Sequence, residues 1–362
     1  MARKLVFDRG LFATVLLLTG LGLVMVYSAS TVLARDSGMA FNPLFVRQSV
    51  AALLGIGAMM VMMHVDYRLL RRPPVIYSLL IGVLILLVAV LFTPYVFNNA
   101  RRWFFIGGVS IQPSELAKLA LIPFIAYQID RKSDRLNSYP FLIPCAGATG
   151  LMVALIFMGR DLGTMILLCI PPLLMIFLAG LRSRYLLTGG ALLVPLVALA
   201  VATEPYRWRR ITAFLAPEND PQGAGFQPLQ SLIAVGSGGV FGLGPGNSVQ
   251  KLYFLPSPHA DFIFSIVAEE LGFLGALFVV ALFAVFLWRG VHAGLAAPEI
   301  FGRYLAWGFT CLIAVQALIH MSVALSLMPT TGVPLPFISH GGSSLVTTLT
   351  ACGLILNVSQ HG

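Results

Sequence analysis

Long apolar segments dominate this chain and constrain its fold more than any other feature. Hydrophobic residues make up 58% of the sequence and charged residues only 10%, whereas a soluble domain usually carries about a quarter charged residues. One globular core could not bury this much apolar surface. We therefore predict an all-α polytopic membrane protein, because helices satisfy their own backbone hydrogen bonds inside lipid.

Ten segments are apolar enough to be predicted as transmembrane helices, since about 20 apolar residues in a helix cross a bilayer. The fourth segment is the shortest and carries charged residues at its start. The ten predicted spans cover residues 11–33, 44–64, 75–93, 114–129, 140–158, 162–180, 184–203, 262–288, 304–328 and 337–358, with soft boundaries.

A long segment, residues 204–260, separates the seventh and eighth predicted spans. The excess of Lys and Arg in alternate loops predicts that both termini are cytoplasmic, in a cytoplasmic (inner) membrane, so this segment is extracytoplasmic. Its apolar residues favour an ordered cap, in which residues 228–238 form a short interfacial or re-entrant helix. We interpret residues 1–362 as a single transmembrane domain.

A glycine-rich run, GSGGVFGLGPGN at residues 236–247, lies within this long segment. It lacks the Gly-Lys-Ser/Thr of a Walker loop and does not complete a G-x-G-x-x-G register. We therefore predict a tightly turned loop and not a nucleotide site.

The carboxylate of Asp261 stands directly before the eighth predicted span, in FLPSPHADFIFSIVAEELG (residues 254–272). Asp is a favoured N-cap residue, and Pro256 and Pro258 would end any earlier helix, so one interpretation is a structural cap. The other interpretation is a functional carboxylate at the outer end of the span. The position of Asp261 alone leaves both open.

Two further polar groups fall at the predicted outer ends of spans. Arg101 and Arg102 stand beside Trp103, where they could contact lipid headgroups or bind phosphate through bidentate guanidinium groups. Glu115 and Lys118 are three residues apart at the start of the fourth span, so they can pair on one helix face. That pair is either purely structural or part of a site.

Together, the charged residues of the predicted outer face favour an anionic ligand carried by the membrane, such as a lipid diphosphate. A substrate outside the cell must bring its own leaving group, because no ATP is present there. Mg²⁺ or Mn²⁺ would suit a diphosphate, although no metal-ligand cluster is apparent in the sequence. The residues are Arg101, Arg102, Glu115, Lys118, Asp161, Arg207, Arg209, Arg210, Lys251 and Asp261.

Several motifs resemble the SEDS family (shape, elongation, division and sporulation), and the resemblance covers nearly the whole chain. The motif GLVMVYSAS and the stretch SVQKL look more like the cell-division branch, FtsW, than like the elongation branch, RodA. The other motifs are RRWFFIGGVSIQPSELAK, RDLGT, DPQGAGFQPLQSLIAVGSGGVFGLGPGNSVQKL, PSPHADFIFSIVAEELGFLG and GVPLPFISHGGSS.

The resemblance implies a peptidoglycan glycosyltransferase with ten spans. Such an enzyme polymerises lipid II, releases undecaprenyl diphosphate and works with a class B penicillin-binding transpeptidase. The motif match makes Asp261 the implied catalytic residue. The residues expected to bind substrate, by motif or by their place on the outer face, are Arg101, Arg102, Glu115, Lys118, Asp161, Arg210 and Lys251.

Three positions depart from the motifs of the family: Ser257 replaces Glu, Ala260 replaces Thr and His340 replaces Tyr. Because Asp261 is kept, these departures bear on tuning and partner choice more than on catalysis.

Two other functions are compatible with the spans. A lipid II transporter would suit ten spans with broken segments, but the charged residues cluster at the outer end and no repeat is visible. A scaffold that recruits the transpeptidase would leave Asp261 and Lys118 unexplained.

Overall fold

The computed structural model describes residues 7–36, 42–94, 100–106, 109–202, 205–252 and 254–362. These ranges contain twelve α-helices and one two-stranded antiparallel sheet. The helices are α1 Arg9–Asp36, α2 Pro43–His64, α3 Pro73–Leu91, α4 Pro113–Arg131, α5 Tyr139–Met158, α6 Leu162–Leu178, α7 Ser183–Ala202, α8 Pro205–Leu215, α9 Phe226–Ser237, α10 Ile263–Ala296, α11 Ile300–Ala324 and α12 Gly342–Ser359; the strands are β1 Phe104–Ile106 and β2 Val109–Ile111.

Each of the ten predicted spans overlaps one long helix, and the protein is a multi-pass membrane protein. Seven of the described helices are long and apolar enough to cross a membrane: α1, α2, α3, α5, α10, α11 and α12. Helix α6 has only 17 residues, and α4 carries four charged side chains. The count of ten spans therefore stays a prediction.

Local sequence fixes where several helices begin. Proline occupies the first turn of α2, α3, α4 and α5, where its missing N–H leaves no hydrogen bond unmade. At α2, the side chain of Asn42 also accepts hydrogen bonds from the backbone N–H groups of Leu44 and Phe45. The connections are thus set largely by residues next to each helix start.

Helices α11 and α12 form the centre of the bundle. In the 18-residue apolar stretch of each of these two helices, 72% of the residues are buried, against 28% in α2, α3 and α10. The remaining faces of α2, α3 and α10 are left for lipid. Helix α12 packs along α2. At one end of this pair the buried Asn357 donates to Met63 O (2.8 Å) and accepts from Tyr67 N (3.1 Å).

The segment between α7 and α10 is folded and includes two short helices. Helix α9, Phe226–Ser237, confirms the helix predicted at residues 228–238. It packs against α10 through Ser231, whose hydroxyl lies 2.6 Å from both Ser265 Oγ and Ala324 O. The extracytoplasmic position of this segment stays a prediction.

Helix α10 is broken at Gly272, whose φ of +70° and ψ of −169° lie outside the helical region. The glycine-rich run 236–247 fills the break: Leu243 N donates to Glu269 O and Gly244 N to Glu270 O, both at 3.0 Å. A Cβ on Gly242 would lie 2.2 Å from Glu270 O. The predicted tight loop is therefore confirmed, and it lies against the break in α10.

Candidate active site

Asp161 organises the corner between α5 and α6. Its Oδ1 accepts from Thr164 N at 3.2 Å, which caps α6, and its Oδ2 accepts from Gln112 Nε2 at 3.0 Å. The same carboxylate lies 3.8 Å from the guanidinium of Arg102, which also donates to the carbonyl oxygen of Arg160. Arg160 has a left-handed φ of +64°. This turn anchors the arginine that precedes strand β1.

Asp261 lies in the turn before α10 and is part-buried. Burial raises the pKa of Asp261, while the positive charges of Arg210 and Arg102 act in the opposite direction. Arg210 comes from α8 and donates to Thr330 O at 2.8 Å. Two arginines from different elements thus act on one carboxylate. We call Arg102, Asp161, Arg210 and Asp261 the mouth group.

Asp261 is not the N-cap of α10, so the predicted cap is wrong. Phe262 holds the N-cap position, and no side chain caps that helix end. The backbone N–H groups of Ala260 and Asp261 instead donate to Ser257 O, at 3.1 and 3.2 Å. Phe262 O accepts the first helical hydrogen bonds, from Ser265 N (3.0 Å) and Ile266 N (3.4 Å), so the N-cap position falls one residue after Asp261. The side chain has no capping task.

The three positions that depart from the motifs all lie on or against this turn. Ser257 supplies the carbonyl that closes it and has a left-handed φ of +52°. Ala260 O accepts from Ser339 Oγ (2.7 Å), and His340 N donates to His259 O (2.9 Å). These contacts use backbone atoms of residues 257, 260 and 340, so the turn can form with side chains that differ from those of the motifs.

Two imidazole rings pack beside the turn. The ring centroids of His259 and His340 are 5.7 Å apart in an edge-to-face arrangement. Burial lowers the pKa of His259, which favours the neutral ring at pH 7. The cations that act on Asp261 are therefore the arginines and not His259.

Glu115 and Lys118 form the predicted i,i+3 pair, with Lys118 Nζ 2.7 Å from Glu115 Oε1. Lys118 also donates to Gln316 Oε1 (3.1 Å), and Thr347 donates to Glu115 Oε2 (3.1 Å). Only 4% of Lys118 and 2% of Glu115 are exposed. We call these two residues the closed pair, since their charged groups are engaged with the chain itself.

Lys251 is also engaged with the chain. Its Nζ lies 2.9 Å from Glu270 Oε1 and 3.2 Å from Ser28 Oγ, in a buried contact between α1, α10 and the glycine-rich loop. Arg101, although exposed, donates to Leu91 O at the end of α3 (2.8 Å). Four predicted site residues are thus linked in the mouth group, through the contact of Asp161 with Arg102 and through the charges of Arg102 and Arg210 that act on Asp261, whereas the other four lie in separate contacts.

Metal ligands do not cluster in the part of the chain that the structure describes. No three His, Cys, Asp or Glu side chains there form a group that could hold a metal ion. Both carboxylate oxygens of Asp161 already accept hydrogen bonds. A role for Mg²⁺ or Mn²⁺ therefore stays a prediction.

Sequence reasoning missed two elements near the mouth. The β1–β2 hairpin pairs Phe104 with Ile111 and links Arg102 to the start of α4. Gln48, in the second span, is fully buried and bonds to the loop before α12. The signal for Gln48 was available, since a polar side chain in an apolar span usually has a specific partner.

Comparison with known proteins shows the family of this chain. The sequence model of FtsW, RodA and SpoVE, described as a cell cycle protein, matches residues 8–362. The chain is 41% identical to the probable peptidoglycan glycosyltransferase FtsW of Geobacter metallireducens, over 98% of this chain and 95% of that protein. It is 42% identical to stage V sporulation protein E of Bacillus subtilis, over 96% and 95%.

Solved structures give the same answer. A chain from a peptidoglycan synthase complex that coordinates polymerization and crosslinking superposes with a TM-score of 0.81, at 34% identity over 98% of both chains. The rod shape determining protein RodA of Thermus thermophilus gives a TM-score of 0.73, at 31% identity over 98% of this chain and 97% of that one. The chain therefore belongs to the family of FtsW, RodA and SpoVE, the SEDS family that its motifs resemble.

Proposed function

We propose that this protein is a peptidoglycan glycosyltransferase that polymerises lipid II at the outer face of the cytoplasmic (inner) membrane, with both termini in the cytoplasm. The observation that carries the proposal is the mouth group, in which two arginines act on a part-buried carboxylate. Relatives that are named as peptidoglycan glycosyltransferases and align over nearly their full length support the same activity.

Asp261 is the proposed general base. It takes the proton from the 4-hydroxyl of the acceptor GlcNAc, and that oxygen bonds to C1 of the donor MurNAc. A base is more effective as its pKa rises towards the working pH, and burial raises the pKa of Asp261. Arg210 and Arg102 oppose the rise, which keeps the carboxylate ionised and able to accept the proton.

The bond between C1 and the diphosphate oxygen breaks as the new glycosidic bond forms. Undecaprenyl diphosphate leaves with the bonding electrons, and a single displacement converts the α-linked donor into a β-linked product. Arg102 and Arg210 are the proposed cations for the developing negative charge, because preorganised charge in a dry site stabilises a transition state strongly. Asp161 holds Arg102 in place for this task.

Arg101, Glu115, Lys118 and Lys251 stay predicted substrate-binding residues. Their charged groups already contact other parts of the chain. Direct contact with a diphosphate would require those groups to exchange partners. We therefore assign the proposed chemistry to the mouth group and leave these four residues to the tests described below.

The proposed partner is a class B penicillin-binding transpeptidase that crosslinks the new strand. One solved structure of similar fold, with a TM-score of 0.81, comes from a complex in which polymerization and crosslinking are coordinated. A chain of similar fold at 34% identity supports the same kind of assembly here. Septal synthesis is the preferred role, because relatives named FtsW align over most of the chain.

One feature favours the rival function of a lipid II transporter. Helix α10 is broken at Gly272, and broken helices are typical of transporter sites. However, the backbone groups freed by the break bond to the glycine-rich loop, so the break is filled by protein and does not line an open path.

The test is polymer formation by the purified full-length chain with its transpeptidase in detergent, using labelled lipid II and gel analysis of glycan strands. Detergent removes the two compartments that a transporter needs, so polymer requires an enzyme. Strand synthesis that persists when the active site of the transpeptidase is blocked would support the proposal. Lipid II translocation in vesicles without any polymer in detergent would overturn it.

A further inference from the structure

Gln48 in α2 is fully buried, and both ends of its carboxamide are used. Its Nε2 donates to Ser339 O and its Oε1 accepts from Gly341 N, each at 3.1 Å. A buried amide is costly unless it is hydrogen-bonded. Here one side chain fixes the backbone on both sides of residue 340, in the loop that leads into α12.

The loop held by Gln48 in turn holds the turn of Asp261. Ser339 Oγ accepts from Leu335 N (2.8 Å) and donates to Ala260 O (2.7 Å). His340 N donates to His259 O (2.9 Å). The carbonyl groups of His259 and Ala260, which precede Asp261, therefore accept hydrogen bonds from the two neighbouring residues of the loop that Gln48 holds, His340 and Ser339.

The turn of Asp261 benefits from such external support. Ser257, which closes the turn, has a left-handed φ of +52°. A non-glycine residue keeps that conformation only when its surroundings impose it. Helix α10 begins at Ile263, two residues after Asp261. A shift of the turn would therefore move the Asp261 carboxylate relative to Arg210 and Arg102.

We propose that Gln48 is a positioning residue for catalysis: through Ser339 and His340 it holds the Asp261 carboxylate in register with the two arginines. The inference rests on the proposed role of Asp261 as the base. It predicts that loss of the two hydrogen bonds lowers turnover while substrate binding changes little, since the phosphate-binding arginines come from other elements.

The main variant is Gln48→Met, because Met keeps the length of the side chain and removes both hydrogen bonds. Misplacing a catalytic group by about 1 Å can cost about 100-fold in rate, so we expect kcat for lipid II polymerisation to fall by about 10- to 100-fold, with KM changed by less than about 2-fold. The matched control is Gln128→Met. Gln128 is also buried, at 2% exposure, but lies near the C-terminal end of α4, away from the end that follows strand β2. It should keep wild-type kcat.

A second pair of variants separates positioning from folding. In an Asp261→Asn background, Gln48→Met should cause no further loss of residual activity, because its effect passes through the carboxylate. Ser339→Ala removes only one hydroxyl and should reproduce the fall in kcat. If Gln48→Met lowers the yield of folded protein, Ser339→Ala carries the test.

The outcomes distinguish the two proposals. An unchanged kcat in folded Gln48→Met, or in Ser339→Ala where Gln48→Met does not fold, with Asp261→Asn inactive, would overturn the positioning role and leave the base intact. A kcat loss in Gln48→Met that recurs in full in the Asp261→Asn background would overturn it also. Activity in Asp261→Asn itself would overturn the proposed base.

Discussion

The mouth group and the closed pair both combine acidic and basic side chains, but in opposite settings. In the closed pair, Lys118 and Glu115 are 2.7 Å apart, and each has a second polar partner from α11 or α12. At the mouth, Asp261 and both arginines are only part-buried. The sign of a charge and its predicted location therefore do not distinguish a structural charge from a reactive one. Burial and the polar partners of each charged group make that distinction.

The pKa of Asp261 shows how its electrostatic environment differs from that of the closed pair. Its pKa is raised although two arginines lower it, so the stabilisation of its charge falls short of the desolvation that burial imposes. A carboxylate in that state binds a proton readily, as a general base must. The charges of the closed pair are compensated directly by each other, which suits a structural role.

The largest expected effect is that of Asp261→Asn. General base catalysis typically contributes about 10²–10⁴-fold, so polymerisation by the variant should fall at least about 100-fold. Because Asp261 caps no helix, the free energy of unfolding should change by less than about 1 kcal/mol, as at sites without such a feature. Polymer assays and thermal unfolding in detergent measure the two.

Asp134→Asn is the matched control for this experiment, since Asp134 is an exposed carboxylate in the short turn after α4. It should keep wild-type polymer yield. Near wild-type yield from Asp261→Asn as well would remove Asp261 from the chemistry and erase the distinction between the mouth and the rest of the chain.

Lys118→Met tests the other side of the comparison. Removing one partner of a buried ion pair typically costs about 3–5 kcal/mol, because the remaining charge is left uncompensated. We expect a strong fall in the unfolding temperature, in contrast to Asp261→Asn. Adding Glu115→Gln to Lys118→Met should recover most of the lost stability, which thermal unfolding of both variants will measure.

The opposite result would change the assignment of Lys118. If Lys118→Met unfolds like the wild type but no longer uses lipid II, then Lys118 acts on the substrate, as the motif resemblance implies. The closed pair would then belong to the site, and the comparison would no longer hold.

The smallest expected effect is a shift in pH dependence in Arg210→Ala. Asp261 must be ionised to act, so activity falls as the pH drops through its pKa. Arg210 lowers that pKa against the effect of burial; removing it therefore raises the pKa further and moves the acid limb of kcat/KM to higher pH. Activity at low pH is lost first. At high pH the variant stays below the wild type, because Arg210 is also a proposed cation for the leaving diphosphate, so the midpoint of the acid limb is the quantity to compare.

The control for the pH profile is Arg209→Ala, next to Arg210 on α8 and exposed. It should leave the midpoint of the acid limb unchanged. An acid limb in Arg210→Ala that coincides with the wild type, or moves to lower pH, would show that another group controls that limb.

Much of the fold followed from hydropathy, because apolar segments of spanning length have few alternatives in lipid. The i,i+3 pairing of Glu115 and Lys118 and the helix at Phe226–Ser237 also followed from local spacing. The role of Gln48 did not, because its partners lie about 290 residues away in sequence. Spacing along one helix cannot indicate such contacts.

The site was predicted in part for the same reason. Motif resemblance identified Asp261 and Arg102, but it could not show that Lys251 bonds to Glu270. The capping prediction for Asp261 was wrong because the turn closed by Ser257 extends to Asp261, and Phe262 O accepts the first helical hydrogen bonds. That turn depends on a left-handed residue which its sequence does not signal.

The break at Gly272 divides α10 into a part that is surrounded by protein and a part whose side chains are exposed to lipid. Every residue from Phe262 to Glu270 is buried in protein, whereas Phe273, Leu274 and Leu277 just beyond the break are about half exposed or more. The part after the break is about 36 Å long, enough to cross the hydrocarbon core alone. The shorter part before the break does not have to span the membrane, so it packs like the core of a soluble protein, while the longer part after the break faces lipid.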